Sequence, residues 1–255
     1  MAKGNYSKRK SSNFEQRGNL LRTFKLIAKH EDTANLISIK TFNKGDYLIE
    51  ESKLVQGIFI IIEGKVKVFT TVLNQKSNIL RFVSKGDLIG LSSLNSAYYW
   101  ASAIVMEKVK VYFIDIEHLH FILNNNRELS ILLIKKLSDK LSHYKIRQKH
   151  LTLFSASERV IDALLLIAYK FGETTNQGIE ISVGTARKDI ANFANTSVEF
   201  AIRALSELNS KNHITLKGKI IIINEKEILI DQLKQVFTKN KLPEDLGYSY
   251  PDFFY

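Results

Sequence analysis

The chain has 255 residues, 45% of them hydrophobic, with 37 lysines and arginines against 26 acidic residues and a formal net charge of +11. That length gives one large domain or two ordinary ones, and the positive excess favours a polyanionic partner, the alternative being a solvated basic surface. With no cysteine present, disulfides, cysteine-ligated zinc and cysteine-held iron–sulfur clusters are excluded. The first residues lack the apolar stretch of a secretory signal, and the apolar runs, such as 164–168 and 220–223, are far too short to span a bilayer. A soluble cytoplasmic protein is the expectation.

Residues 1–19 are polar and basic, with Lys3, Lys8, Arg9, Lys10 and Arg17 facing only Glu15. They read as a flexible arm. A short amphipathic helix follows over 20–28. From residue 37 to 114 the texture becomes β: apolar runs at 47–50, 58–62, 65–72, 79–83, 103–105 and 110–114 are cut by turns around Gly45, Gly64 and Gly86. Short strands at this spacing with glycine turns predict a roll, barrel or sandwich.

Residues 116–123 read as a short helix. Asn126 then stands as an N-cap with Glu128 in the first turn of a long helix reaching about residue 149. Ile134, Leu137, Leu141 and Tyr144 recur at 3-4-3 spacing, an a/d seam suited to pairing with a copy of itself. The alternative is a helix packed on its own β-domain. Ser155 or Ser157 caps the next helix, which stops at Gly172. A loop at 174–178 and a short strand at 179–182 come next.

Residues 185–208 then read as two short amphipathic helices around a polar break at Asn195, Thr196 and Ser197. Ile190 and Phe193 give the first an apolar face; Ala201, Leu205 and Leu208 give the second another. That pattern is a helix-turn-helix, whose second helix is free to enter a DNA groove. Ile-rich strands at 214–216 and 219–223 predict a hairpin wing, and 227–239 a further helix. The predicted boundaries are 1–19 for the arm, 20–124 for a β-roll sensor domain with flanking helices, 125–150 for the dimerisation helix, 151–230 for the winged helix-turn-helix and 231–255 for a C-terminal extension.

The order of a β-roll, a long helix and a winged helix-turn-helix resembles the cyclic-AMP receptor protein and fumarate–nitrate reductase regulator superfamily of bacterial transcription factors. The match runs from about residue 42 to 223. It is carried by Phe42, Lys44, Gly45, Asp46 and Ile49; by Ile58, Ile60, Gly64, Val66 and Val68; by Gly86, Asp87, Ile89 and Gly90; by Arg159, Leu164, Leu165 and Ala168; and by Ile190, Ala191, Ser197, Glu199 and Arg203. The resemblance implies an α+β fold and a homodimer on a near-palindromic double-stranded DNA site. RNA polymerase is a further candidate partner. A hinge near residues 151–155 would let a ligand or partner shift one domain against the other.

The effector pocket that the resemblance implies falls on Gly90, Leu91, Ala101, Ser102 and Tyr144. Cyclic-AMP binders of the family place a glutamate where this chain has Leu91, and an arginine where it has Ala101 beside Ser102. Two small hydroxyl residues of the long helix are Tyr144 and Lys145 here. A cyclic phosphate enclosed without a cation or donors is costly to bury. Leu91, Tyr98, Tyr99, Trp100 and Ala101 predict a filled or apolar pocket, with a less polar effector or none. The six histidines are scattered, mostly in surface-like contexts, and predict neither a haem nor a metal ligand; no cofactor is expected.

On the DNA side, Arg187, Lys188, Lys211, Lys217 and Lys219 are candidates for phosphate contacts. Ser197, Val198, Glu199 and Arg203 fall on the recognition helix: Arg203 can pair bidentately with guanine and Glu199 can accept from cytosine. The arginine that the family places between the serine and the glutamate is Val198 here, which can touch a thymine methyl. The plainer reading of Glu199 and Arg203 is an i,i+4 surface ion pair. No G-x-S-x-G, H-E-x-x-H, P-loop or G-x-G-x-x-G motif is present, so no catalytic residue is expected. The rival reading is an interaction protein whose winged helix contacts other proteins.

Overall fold

The computed structural model of the protein describes residues 12–28, 33–71, 77–182, 184 and 186–240, with side chains for all of these except 12–19. Residues 1–11 of the basic arm and 241–255 of the extension lie outside the described residues. The chain divides into two compact units, with the main boundary between His143 and Tyr144.

The first unit holds, in order, α1 (Ser12–Ile27), β1 (Ile37–Phe42), β2 (Tyr47–Ile49), β3 (Gly57–Glu63), β4 (Val66–Thr71), β5 (Ser77–Val83) from Leu80 onward, β6 (Leu88–Ile89), β7 (Ser102–Val105), β8 (Val109–Asp115), α2 (Ile116–Asn125) and the first turns of α3 (Arg127–Leu153). Two four-stranded sheets form, in the orders β1-β8-β3-β6 and β2-β7-β4-β5. This is the predicted β-roll. β3 is central and buried on both faces, which explains its unbroken Ile58–Phe59–Ile60–Ile61 run. Alternation along it feeds two cores. Ile58 and Ile60 join Leu20, Phe24, Leu119, Leu129 and Leu133 of the helices. Phe59 and Ile61 join Val66, Val68, Ala103, Val105 and Val111 in the other core.

In this unit three features depart from the predicted elements. α1 begins at Ser12, so 12–19, assigned to the arm, are helical. Once Leu20, Phe24 and Ile27 are docked, each added residue meets only the propagation step of the helix, not its nucleation. β1 and β6 are additional strands. β1 is exposed along most of its length and has no clean apolar alternation; its six-residue register with β8 makes it a strand. Asn126 does cap α3, its side-chain oxygen accepting from the Leu129 amide at 2.9 Å.

The second unit runs from the end of α3 through α4 (Ala156–Phe171), β9 (Glu173–Thr175), β10 (Gly178–Ile181), α5 (Arg187–Phe193), α6 (Val198–Ser210), β11 (Ile214–Lys217), β12 (Ile220–Ile223) and α7 (Lys226–Lys239). Ser155 is the cap of α4. It forms a reciprocal box in which the Ser155 amide donates to the Glu158 carboxylate at 2.7 Å and the Glu158 amide to the Ser155 hydroxyl at 3.3 Å. Nine residues of α4 are buried, because α5, α6, α7 and β10 all pack against it. The sheet order is β11-β12-β10-β9. β9, read as part of a loop, is exposed at every residue; it carries no apolar signal and exists through its pairing with β10. α7 buries Leu229, Ile230, Leu233 and Val236, so the helix passes straight through residue 230, where the sequence reading ended the domain. No described helix is long and apolar enough to cross a membrane.

Candidate nucleic-acid interface

α5 closes with the Ala194 amide donating to the Ile190 carbonyl at 2.8 Å and the Thr196 amide to the Ala191 carbonyl at 3.0 Å. Asn195 follows at φ +50, a left-handed conformation that asparagine tolerates better than most residues. The chain then enters α6 through Ser197, whose hydroxyl oxygen accepts from the Phe200 amide at 3.1 Å. Ser197 is thus the N-cap, and Glu199 sits in the first turn, where the helix dipole favours a negative charge.

One face of α6 is buried through Ala201, Ala204, Leu205 and Leu208, and the opposite face exposes Glu199, Ile202, Arg203 and Ser206. Arg203 lies with its guanidinium carbon 5.8 Å from the Phe200 ring centroid, a separation at which cation and ring attract. Val198 is half-buried at the first helical position. Ile202, 44% exposed, and Ser206 were not among the sequence candidates. Helical spacing alone puts them with Glu199 and Arg203, but an isoleucine reads as core until its neighbours are known.

The basic candidates separate. Lys188 is exposed, whereas Arg187 is half-buried, and desolvation lowers its guanidinium pKa from the ordinary value. Lys211 places its ammonium 2.5 Å from Glu207, and this hydrogen bond, with the accompanying Coulomb attraction, lowers the Glu207 pKa. At the wing, Lys217 pairs with Ile220 across the strands, leaving Gly218 and Lys219 as the turn, one residue beyond the predicted one. Lys219 is exposed at this tip. Lys217, also exposed, donates to the Gln177 side chain at 2.8 Å.

Two arginines hold this motif from behind. Arg159 of α4 donates to the carbonyls of Ala194 at 2.9 Å, Asn195 at 3.3 Å and Phe154 at 2.9 Å. Arg147 of α3 donates to the Phe193 carbonyl. Three consecutive carbonyls at the end of α5, which the helix itself leaves without partners, are therefore capped by guanidinium groups.

In the first unit, Gly90 takes φ +90, and a Cβ there would lie 2.7 Å from the Gly57 carbonyl oxygen; only glycine fits. Leu91 is 3% exposed and belongs to the core beneath the helices. Ala101 is half-buried. Ser102 is buried, and its hydroxyl accepts from the Glu51 amide at 3.0 Å. The segments meet, since the Trp100 amide donates to the Ser93 hydroxyl at 3.3 Å. Tyr99 is buried, its hydroxyl accepting from the Gly57 amide at 3.2 Å and donating to the Gly57 carbonyl at 2.9 Å. Tyr98 and Trp100, read as pocket filling, instead point outward, 55% and 67% exposed. Tyr144 lies on α3 in the second unit. A cleft of about 500 Å³ on the roll is lined by Tyr47, Glu50, Lys53, Leu54 and Tyr98, among others; Gly90, Leu91, Ala101 and Ser102 are not among its lining residues.

The sequence reading also missed two cations. Arg81 of β5 and Lys140 of α3 both donate to the Leu88 carbonyl, at 2.7 and 3.3 Å. Nor is every histidine at the surface: His150 is 3% exposed, with Nδ1 at 3.0 Å from Asp162.

On α3, Ile134, Leu137, Leu141 and Tyr144 are 65, 39, 57 and 43% exposed, while Leu129 and Leu133 are buried in the roll's helical core. The helix therefore packs on its own domain through one face and leaves an apolar stripe on another.

Comparison with known proteins agrees with this architecture. The cyclic nucleotide-binding domain model matches residues 39–126 and the Crp-like helix-turn-helix domain model matches residues 158–229. The CRP-like cAMP-activated global transcriptional regulator of Mycobacterium tuberculosis is 25% identical over 74% of this chain and 84% of its own length. The fumarate and nitrate reduction regulatory protein of Yersinia pestis is 23% identical over 74% of this chain and 76% of its own. Among solved structures, FixK2 from Bradyrhizobium japonicum covers 76% of this chain and 96% of its own, with a TM-score of 0.68 at 18% identity. Taken with the β-roll, the long helix and the helix-turn-helix of α5 and α6, these matches place the chain in the Crp/Fnr superfamily of transcription regulators.

Proposed function

We propose that the protein acts in the cytoplasm as a homodimer that reads a near-palindromic DNA site, with α6 in the major groove, and that RNA polymerase is a partner in the regulation. The observation that carries this reading is the outward face of α6. There Glu199 and Arg203 project one turn apart, on a helix whose other face is committed to the core. Arg203 suits guanine and Glu199 cytosine; Ile202 and Val198 offer apolar contact to thymine methyls. Lys188 and Lys219 supply phosphate contacts, whose counterion release gives affinity without sequence information. The exposed α3 stripe supports pairing with a second copy. Selection from a randomised duplex library tests the proposal. Enriched sites with two inverted half-sites about 10–10.5 base pairs apart support it. Enrichment of single half-sites, or of nothing, overturns it, and the latter result favours a winged helix that contacts proteins.

The effector of this protein is, on our reading, not cyclic AMP, although the Mycobacterium tuberculosis relative is cAMP-activated. The support is Leu91, closed into the core, and Ser102, whose hydroxyl already serves the Glu51 amide. The two cations at the Leu88 carbonyl have that carbonyl as a hydrogen-bond acceptor. A cyclic nucleotide would have to displace such contacts to gain its own, which removes much of the net gain. Titration calorimetry with cyclic AMP or cyclic GMP is expected to show no saturable heat at millimolar ligand. A micromolar isotherm with either would refute this.

A further inference from the structure

Asp162 of α4 is completely buried and its carboxylate serves two groups on the end of α3. One oxygen accepts from Arg147 Nη1, and the other lies 3.0 Å from His150 Nδ1. The second Arg147 nitrogen, Nη2, donates to the Phe193 carbonyl at the end of α5, and the guanidinium carbon stands 4.6 Å from the Phe193 ring centroid. The His150 ring packs 4.6 Å from that of Phe154 and 5.9 Å from that of Phe237 of α7. One planar group thus joins three helices: the one carrying the seam, the centre of the second unit, and the helix before the recognition helix.

We propose that Arg147 is a positioning residue for DNA reading, locking the end of α3 to α5 by bridging the Asp162 carboxylate and the Phe193 carbonyl. The role in readout rests on the DNA-binding function proposed above; the lock itself does not. A buried carboxylate is held only when its partners meet it with good geometry, and Arg147 reaches it from one side of the α3–α4 bend while Asp162 lies on the other. Of residues 151–155, read from sequence as a hinge, the first three belong to α3 and only Phe154 and Ser155 separate it from α4; that break is bridged, and the last turns of α3 move with the helix-turn-helix. The task requires arginine. Its fixed fork presents two nitrogens to two acceptors at once, which the single ammonium of lysine does not.

The test compares wild type with Arg147→Lys, which keeps the charge and a long apolar stem, and with Arg147→Met in case lysine finds one of the two acceptors. Hydrogen–deuterium exchange is measured on the full-length protein, and affinity on the duplex that wild type selects and on a scrambled one. In Arg147→Lys, amides of residues 194–197 are expected to exchange about tenfold faster, with α4 as protected as before. Affinity for the selected duplex should fall about tenfold at unchanged affinity for the scrambled one, a coupling of ordinary size. Wild-type behaviour of both variants in both measurements overturns the proposal. So does a loss of protection throughout α4 with both affinities falling together, which marks a stability role alone. If wild type selects no duplex, the DNA-reading function fails. The exchange comparison still decides the lock: fast exchange confined to 194–197 supports it, and unchanged exchange overturns it.

Discussion

Replacing Leu137 and Leu141 together by glutamate is expected to give a folded monomer with almost no operator binding. Both side chains lie on the exposed stripe of α3, 39% and 57% accessible, so their loss removes little from the core below. In a dimer their remaining exposed surface would be buried against the partner helix, a fraction of the about 1.5–3 kcal/mol that full burial of a leucine contributes. Carboxylates in their place would lose that burial and add desolvated like charges across the two-fold axis. Separating the protomers also makes two linked recognition helices into independent ones, lowering apparent affinity by about 10²–10⁴-fold. Sedimentation velocity and a binding titration on the selected duplex read both effects. A double variant that remains dimeric, or a wild-type protein already monomeric at micromolar concentration, would refute the seam.

Arg203→Ala should cost about 1–3 kcal/mol of specific binding, the discrimination that one bidentate base contact supplies. Because Arg203 projects from the face opposite Ala201, Leu205 and Leu208, folding should be unaffected. Preference should relax at one base pair in each half-site. Lys219→Ala, at the tip of the wing, should instead weaken binding to every sequence alike and flatten the salt dependence by about one charge per protomer. Repeating the duplex selection with each variant distinguishes them. An unchanged preferred sequence for Arg203→Ala would remove α6 from the recognition role and leave Glu199 and Arg203 as a surface pair.

The amino-acid sequence by itself determined the helices, most of the strands and their order, because the forces that set them act over a few residues; β1, β6 and β9 exist through pairing with other strands. The apolar spacing of Ile190, Phe193, Ala201, Leu205 and Leu208 laid out the two helices of the motif. Asn126 marked the start of α3 three residues before the amide it caps, while the start of α4 was narrowed to Ser155 or Ser157 and the structure chose Ser155. Spacing likewise put Glu199 and Arg203 on one face of α6, and the seam on one stripe of α3. Only the tertiary structure decided what each face meets. β3 is buried on both sides because two separate sets of residues converge on it, one from helices before and after the roll. Tyr99 turns inward while Tyr98 and Trp100 turn out, a choice that an aromatic triplet leaves open. Arg81 and Lys140 meet at Leu88 although Lys140 is 52 residues away, and His150 is drawn from an apparently exposed helix end into a buried pair with Asp162. These groups are separated along the chain and joined only by packing, so no local pattern announces them. The buried Asp162 carboxylate and Arg147 are of this kind: residues with ordinary sequence surroundings, given their role by the charge and the carbonyl that folding brings within reach.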